Sequence, residues 1–141
     1  MNVMYAMVLQ ATLMSATDET YARAYKEAES GKPLVVLIGA DWCPGCRTMK
    51  NSVMPQVRQS GALQKVAFVS VNTDYDRELA NKMMNAGSIP QLIIYHKTGE
   101  SWNREVVVGA RSAADVERMI DRAVAATKAA PTTPANTVAG N

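Results

Sequence analysis

Apolar positions along this chain fall into strand-length runs that alternate with stretches of helical spacing. Asp18 is placed to cap a helix over residues 19–29, with Tyr21, Tyr25 and Ala28 on one face and Gly31 as its stop. Leu34-Val35-Val36-Leu37-Ile38 then forms an unbroken apolar run, the pattern of a central strand covered by helices on both faces. It leads straight into Gly39-Ala40-Asp41-Trp42-Cys43-Pro44-Gly45-Cys46-Arg47. Pro44 suits a first helical turn, and residues 47–50 are helix-compatible; Pro55 opens a second short segment that Gly61 ends.

The next strand is expected over residues 66–71. A helix follows over 76–86, with Leu79, Ala80 and Met83 inward and Gly87 as its stop. Leu92-Ile93-Ile94-Tyr95 is a third strand, Thr98-Gly99 a turn, and residues 105–108 the return strand of a hairpin. A last helix, residues 113 to about 126, carries Val116, Ile120, Ala123 and Val124 on one stripe. Strands alternating with helices and ending in a hairpin predict an α/β fold: a central mixed β-sheet flanked by helices on both faces.

Both ends of the chain break this pattern. Residues 1–16, MNVMYAMVLQATLMSA, are apolar without a Lys or Arg, which fits either the remnant of an export segment or a first strand with its lead-in. The run is too short and too interrupted to span a bilayer. Residues 128–141 are small, polar and proline residues with nothing to bury, the composition of a disordered tail or a linker. One domain over residues 17–127 is therefore expected.

With 141 residues, the chain can bury one real core. Its 15 Lys+Arg and 13 Asp+Glu are scattered, with no basic run to attract nucleic acid or an anionic membrane. Function must come from a local site. The two cysteines, Cys43 and Cys46, are too few for a disulfide framework. A closed zinc site needs about four ligands, and beyond the two cysteines the chain offers only His96, so no metal is expected. Haem attachment needs a histidine after the second cysteine, where Arg47 stands. Redox chemistry fits better. A Cys43 at the turn into a helix has its sulfur at the positive end of the helix dipole, which favours the thiolate that attacks disulfides. Cys46, one turn deeper, is spaced to resolve the mixed disulfide. Asp41 opposes the thiolate, while Arg47 and Lys50 favour it.

Three segments together resemble the thioredoxin-fold family, over roughly residues 18–124. They are Ala40-Asp41-Trp42-Cys43-Pro44-Gly45-Cys46 after an apolar strand, Val71-Asn72-Thr73-Asp74 ending the next, and Ser88-Ile89-Pro90-Gln91-Leu92 ahead of the third. The resemblance implies a thioredoxin-like thiol–disulfide oxidoreductase with Cys43 and Cys46 as its catalytic pair and no bound cofactor. It implies that Pro90 is a cis-proline facing the disulfide, where the residues alone would suggest an ordinary trans proline starting a strand. It leaves the Ile89 backbone free to pair with a substrate, sets Trp42 beside the site rather than in the core, and makes Pro44 and Gly45 part of the same surface. Gly109 would be the glycine after the last strand, where backbone approaches the site.

The departures are specific. Thioredoxins have Gly-Pro between the cysteines, and here it is Pro44-Gly45. They bury an aspartate where this chain has Leu37, and pair it with a lysine where this chain has Ser70. The helix-kinking proline is displaced to Pro55, and residues 51–63 are longer than their counterpart. The loss of the carboxylate leaves open an alternative, a binding or chaperone-like module with little electron transfer. The first reading is a protein-disulfide reductase whose partners are disulfide- or dithiol-containing proteins and a redox recycling partner, with no nucleic acid. It is expected to be a monomer and, from the apolar start, extracytoplasmic (periplasmic or membrane-tethered), with the cytoplasm as the alternative. Trp102, in the hairpin, is expected to be packed.

Overall fold

In the computed structural model, which describes residues 16–128, four strands form one mixed sheet. The chain runs through α1 (Ala16–Glu29), β1 (Leu34–Gly39), α2 (Pro44–Thr48), a π-helical turn (Met49–Val53) and α3 (Met54–Gln59). A short 3-10 turn (Ala62–Lys65) leads to β2 (Ala67–Asn72), α4 (Arg77–Met83), β3 (Gln91–Thr98), β4 (Ser101–Val108) and α5 (Ala113–Lys128). The strand order is β2-β1-β3-β4, with β1 parallel to β2 and the other pairs antiparallel. The expected export segment or first strand and the C-terminal tail lie outside the described residues, apart from Ala16 and Lys128 at the helix ends.

The apolar run of β1 behaves as its pattern predicts, because every residue from Leu34 to Ile38 is buried. Val35 and Leu37 face a core filled by Met49, Val53, Met54, Val57, Val116, Met119 and Ile120 from the motif helices and α5. Leu34, Val36 and Ile38 face the opposite core, closed by Ala24 and Ala28 of α1 and Ala80 and Met83 of α4. At about 1.5–3 kcal/mol for each large side chain removed from water, these two layers supply the main force holding the helices on the sheet. In β2 the burial alternates: Ala67, Val69 and Val71 point into the core, while Ser70 is exposed.

The structure corrects three expectations and refines a fourth. α1 begins at Ala16, so Asp18 lies within its first turn rather than at its cap. Tyr25 is exposed rather than inward and stacks on Trp102 with ring centroids 6.3 Å apart, which leaves Ala24 and Ala28 as the inner face. As expected, a second short segment, α3, opens with Pro55 in its first turn and ends before Gly61; the helix before it runs into it without a break through the π turn, where Met54 N–H donates to Met49 O. Pro55 has no N–H to give and its ring crowds the preceding turn, so the wider π turn accommodates it without breaking the run. Finally, α4 stops at Met83, short of the expected Ala86, with Met84 already extended (ψ 145°). Gly87 plays no part in that stop, and Ala86 carries a positive φ of 66°.

Candidate active site

β1 and β2 deliver their C-terminal ends to the same edge of the sheet. Ile38 pairs with Gln91 and Gly39 with Asn72, so the segment after β1, the turn after β2 and the loop before β3 converge. The carboxyl end of a parallel pair is where α/β sheets place their sites. Cys43 ends the first of these segments as the N-cap of α2, with extended backbone (φ −83°, ψ 119°). A residue there faces the unpaired N–H groups of the first turn; the Cys46 N–H donates to Cys43 Sγ at 3.2 Å. Cys43 and Cys46 are joined as a disulfide, with Cα atoms 5.2 Å apart, and both are largely buried.

The groups around this pair come from the other segments. Cys43 Sγ lies 3.8 Å from the carbonyl oxygen of Ile89, and the Ile89–Pro90 peptide is cis. Pro90 O accepts from Gly109 N at 2.8 Å, which ties the loop to the end of β4. A Cβ on Gly45 would sit 3.2 Å from Pro90 Cδ, so the motif helix packs its glycine against the proline ring. Trp42 is exposed beside the pair, not a core residue, and its Nε1 donates to Asp74 Oδ2 at 3.0 Å. Asp74 N in turn donates to Asn72 Oδ1 at 2.8 Å, and Thr73 N to Gly39 O at 2.9 Å. The segment 71–74 is thus the support of Trp42.

Gly109 directly follows β4, where its N–H meets Pro90 O. Nothing lies within 4 Å of a Cβ built there; the glycine answers a φ of 93°, which other residues rarely adopt. The close approach is at Gly39, which the sequence reading passed over although it closes β1 directly before the motif. Gln91 was also missed. It is fully buried, and its Nε2 lies within hydrogen-bond distance of the carbonyl oxygens of Asn85, Ala86 and Ser88 (2.9, 3.1 and 2.8 Å), while its Oε1 accepts from Asn85 N at 3.0 Å. A polar residue opening an apolar strand right after Ile-Pro was the available signal. This amide clamp sets the path of residues 85–88 and hence of Ile89 and Pro90.

His96 sits toward the hairpin end of β3, opposite Asn103, away from the cysteines. Among the described residues, no group of three or more His, Cys, Asp and Glu is arranged to hold a metal ion. Among the same residues, no helix is long and apolar enough to cross a membrane.

A cysteine pair at a strand-to-helix turn, faced by a cis-proline loop, has the geometry for thiol–disulfide exchange. The thioredoxin family profile matches residues 12–122. The chain belongs to the thioredoxin family. A thioredoxin of Aspergillus fumigatus is 34% identical over 97 residues, covering 68% of this chain and 82% of that protein. The chloroplastic thioredoxin M4 of Arabidopsis thaliana is 33% identical, covering 69% of this chain and 47% of that one. Among solved structures, a thioredoxin from Thermus thermophilus superposes with a TM-score of 0.60 at 21% identity, covering 72% of this chain and 82% of that one, a likeness of fold. A Schistosoma mansoni thioredoxin gives 0.54 at 30% identity, covering 73% and 90%. The chain is a thiol–disulfide oxidoreductase, and this family acts on disulfide-containing proteins.

Proposed function

We propose that this thioredoxin-family protein works as a reductase of protein disulfides, with Cys43 as the attacking thiol and Cys46 as the resolving one. The direction rests on the thioredoxin profile and the thioredoxin relatives; the observation that carries the assignment of the two sulfurs is the Cys46 N–H held 3.2 Å from Cys43 Sγ at the start of α2. It favours negative charge on Cys43, because an amide donor and the helix dipole both stabilise a thiolate there.

The Cys43 thiolate attacks one sulfur of a substrate disulfide, forming a mixed disulfide and releasing the other sulfur as a thiolate. Cys46 then loses its proton and attacks Cys43, closing the Cys43–Cys46 bond and freeing the second substrate thiol. Two electrons pass to the substrate, and a second dithiol protein returns them. Ile89 offers its backbone to an extended substrate segment, and Trp42, Pro44, Gly45, Pro90 and Gly109 border the surface on which that segment rests. A monomer is the working unit in this reading. The extracytoplasmic setting expected from the sequence draws no support from the relatives, one of which is chloroplastic by name.

The test is the reduction potential of the Cys43–Cys46 pair, measured by equilibration against glutathione and dithiothreitol buffers. A value near or below about −240 mV is expected for a reductant, and one above about −180 mV would make the protein an oxidant or isomerase.

A further inference from the structure

The resolving step needs somewhere to send a proton. A thiol with an ordinary pKa of about 8.5 is mostly protonated at neutral pH, and Cys46 is largely buried. The strand residues beneath it, Leu37 and Gly39, offer no acceptor. A cavity of about 360 Å³ opens beside Cys46 on the side of β2, bounded below by Leu37 and Ser70. That is well above the roughly 10–15 Å³ that one water needs. Two carboxylates line it, Asp41 and Asp76.

Their situations differ. Asp41 is exposed at the rim, where Asn72 Nδ2 donates to its Oδ1 at 3.4 Å and Arg47 donates to its backbone carbonyl at 3.2 Å. Asp76 is half-buried at the N-cap of α4, yet its side chain makes no capping bond to that helix. Its Oδ2 instead turns back toward β2, where the Asn72 N–H donates at 3.4 Å. The remaining charged or titratable groups on the cavity are Arg47 and Lys50 from the motif helix and Tyr75 from the turn after β2. Asp74 is engaged by Trp42, and the cavity walls formed by β1 and β2 contribute no ionisable group.

We infer that Asp76 is the proton acceptor for Cys46, acting through water in this cavity, and so takes part in the resolving step without touching either sulfur. The inference rests on the exchange activity proposed above. As Cys46 attacks Cys43 in the mixed disulfide, its proton passes through water to the Asp76 carboxylate. The Cys46–Cys43 bond forms, the Cys43–substrate bond breaks, and the electron pair of that bond leaves with the substrate sulfur. Arg47 and Lys50, which also line the cavity, lower the cost of the transient Cys46 thiolate.

The experiment mixes the full-length reduced protein with dithiobis-nitrobenzoate and follows thionitrobenzoate release by stopped flow from pH 5.5 to 9.5. The first equivalent reports attack by Cys43, and the second reports resolution by Cys46. Asp76→Asn is expected to slow the second phase at pH 6.5 by at least about tenfold, within the range of a lost general base. The deficit should vanish above about pH 9, where the thiolate forms unaided, the first phase should be unaffected, and Asp76→Glu should recover most of the rate. Four results would overturn the inference: an unchanged second phase, a loss equal at every pH, a faster second phase at pH 6.5 (Asp76 then acting only as a like charge), or the pH-dependent loss appearing in Asp41→Asn instead. If the unmodified protein released no second equivalent, the exchange reading itself would fall, and this inference with it.

Discussion

A Cβ placed on Gly39 would lie 2.9 Å from both Cβ and Sγ of Cys46, so the last residue of β1 and the resolving cysteine touch as closely as a glycine allows. Real Cβ atoms do not approach that near, and Cys46 is fixed on a helix whose far end is buried through Met49, Val53 and Val57. Gly39→Ala must therefore push α2 off the sheet, and overpacking of this kind costs about 1–3 kcal/mol. Half of the clash is with Cβ, which no rotamer moves, so the loss should persist after reduction. Urea unfolding with and without dithiothreitol checks this; a variant with an unchanged midpoint in both would refute the steric account.

Gly45 makes a looser contact, with its built Cβ 3.2 Å from Pro90 Cδ and 3.9 Å from the Ala110 side chain. A few tenths of an ångström of ring movement relieves it, and alanine recovers about 0.5–1 kcal/mol of backbone entropy in a helix. Gly45→Ala should thus leave stability within about 1 kcal/mol of the parent. It should nonetheless slow reduction of a protein disulfide more than about threefold, since the groove beside Cys43 has shifted. Insulin reduction and thermal unfolding, measured on the same sample, separate the two effects. A stability loss as large as that of Gly39→Ala would contradict the ranking of these contacts.

Gln91 is the buried polar side chain among the described residues, and every partner it has lies in the segment leading to Pro90. Gln91→Leu keeps the volume but strands the Asn85 N–H and the carbonyls of Asn85, Ala86 and Ser88, at about 1–3 kcal/mol for each group that water cannot reach. Gln91→Glu is more informative. Burial disfavours the carboxylate, so its pKa in the folded state rises above the unfolded value. Relative to the parent, this variant should be weakest at pH 7 and regain stability as the pH falls through that raised pKa, where a protonated Glu again offers a donor. Denaturant titrations of parent and variant from pH 4.5 to 7.5 give the comparison; a pH-independent difference would mean the side chain is not buried as described.

The parts of the fold that sequence revealed are those where one physical signal dominates. The five apolar residues from Leu34 to Ile38 point to a strand covered on both faces, and the two cores bear it out. The cysteine spacing, the Ile-Pro ahead of a strand and the Val71–Asp74 run carried the family resemblance, and the sheet pairing brings those three segments to one end of the sheet. What stayed hidden depends on neighbours distant in sequence. Gly39 looks like any strand-ending glycine until Cys46 is folded over it. Gln91 looks like a surface residue until three carbonyls turn toward it. Tyr25 has the helical spacing of a core residue, yet Trp102 on β4 offers it a partner outside the core. The end of α4 was misplaced because Gly87 is a strong local stop, while the Gln91 clamp acts first.

The cysteines themselves are equally buried, so exposure does not tell the attacking thiol from the resolving one; their partners do. Cys43 Sγ receives the Cys46 N–H and faces the Ile89 carbonyl at the open edge, whereas Cys46 packs its Cβ against Gly39. Cys46→Ser should therefore still attack a substrate disulfide and stop at the mixed disulfide, which intact-mass spectrometry would record as a stable adduct. Cys43→Ser should form no adduct and lose at least about a thousandfold in turnover, because its remaining thiol lacks the helix-end position and the amide donor that favour a thiolate. Adduct formation by Cys43→Ser at a rate comparable to Cys46→Ser would reverse the assignment of the two sulfurs.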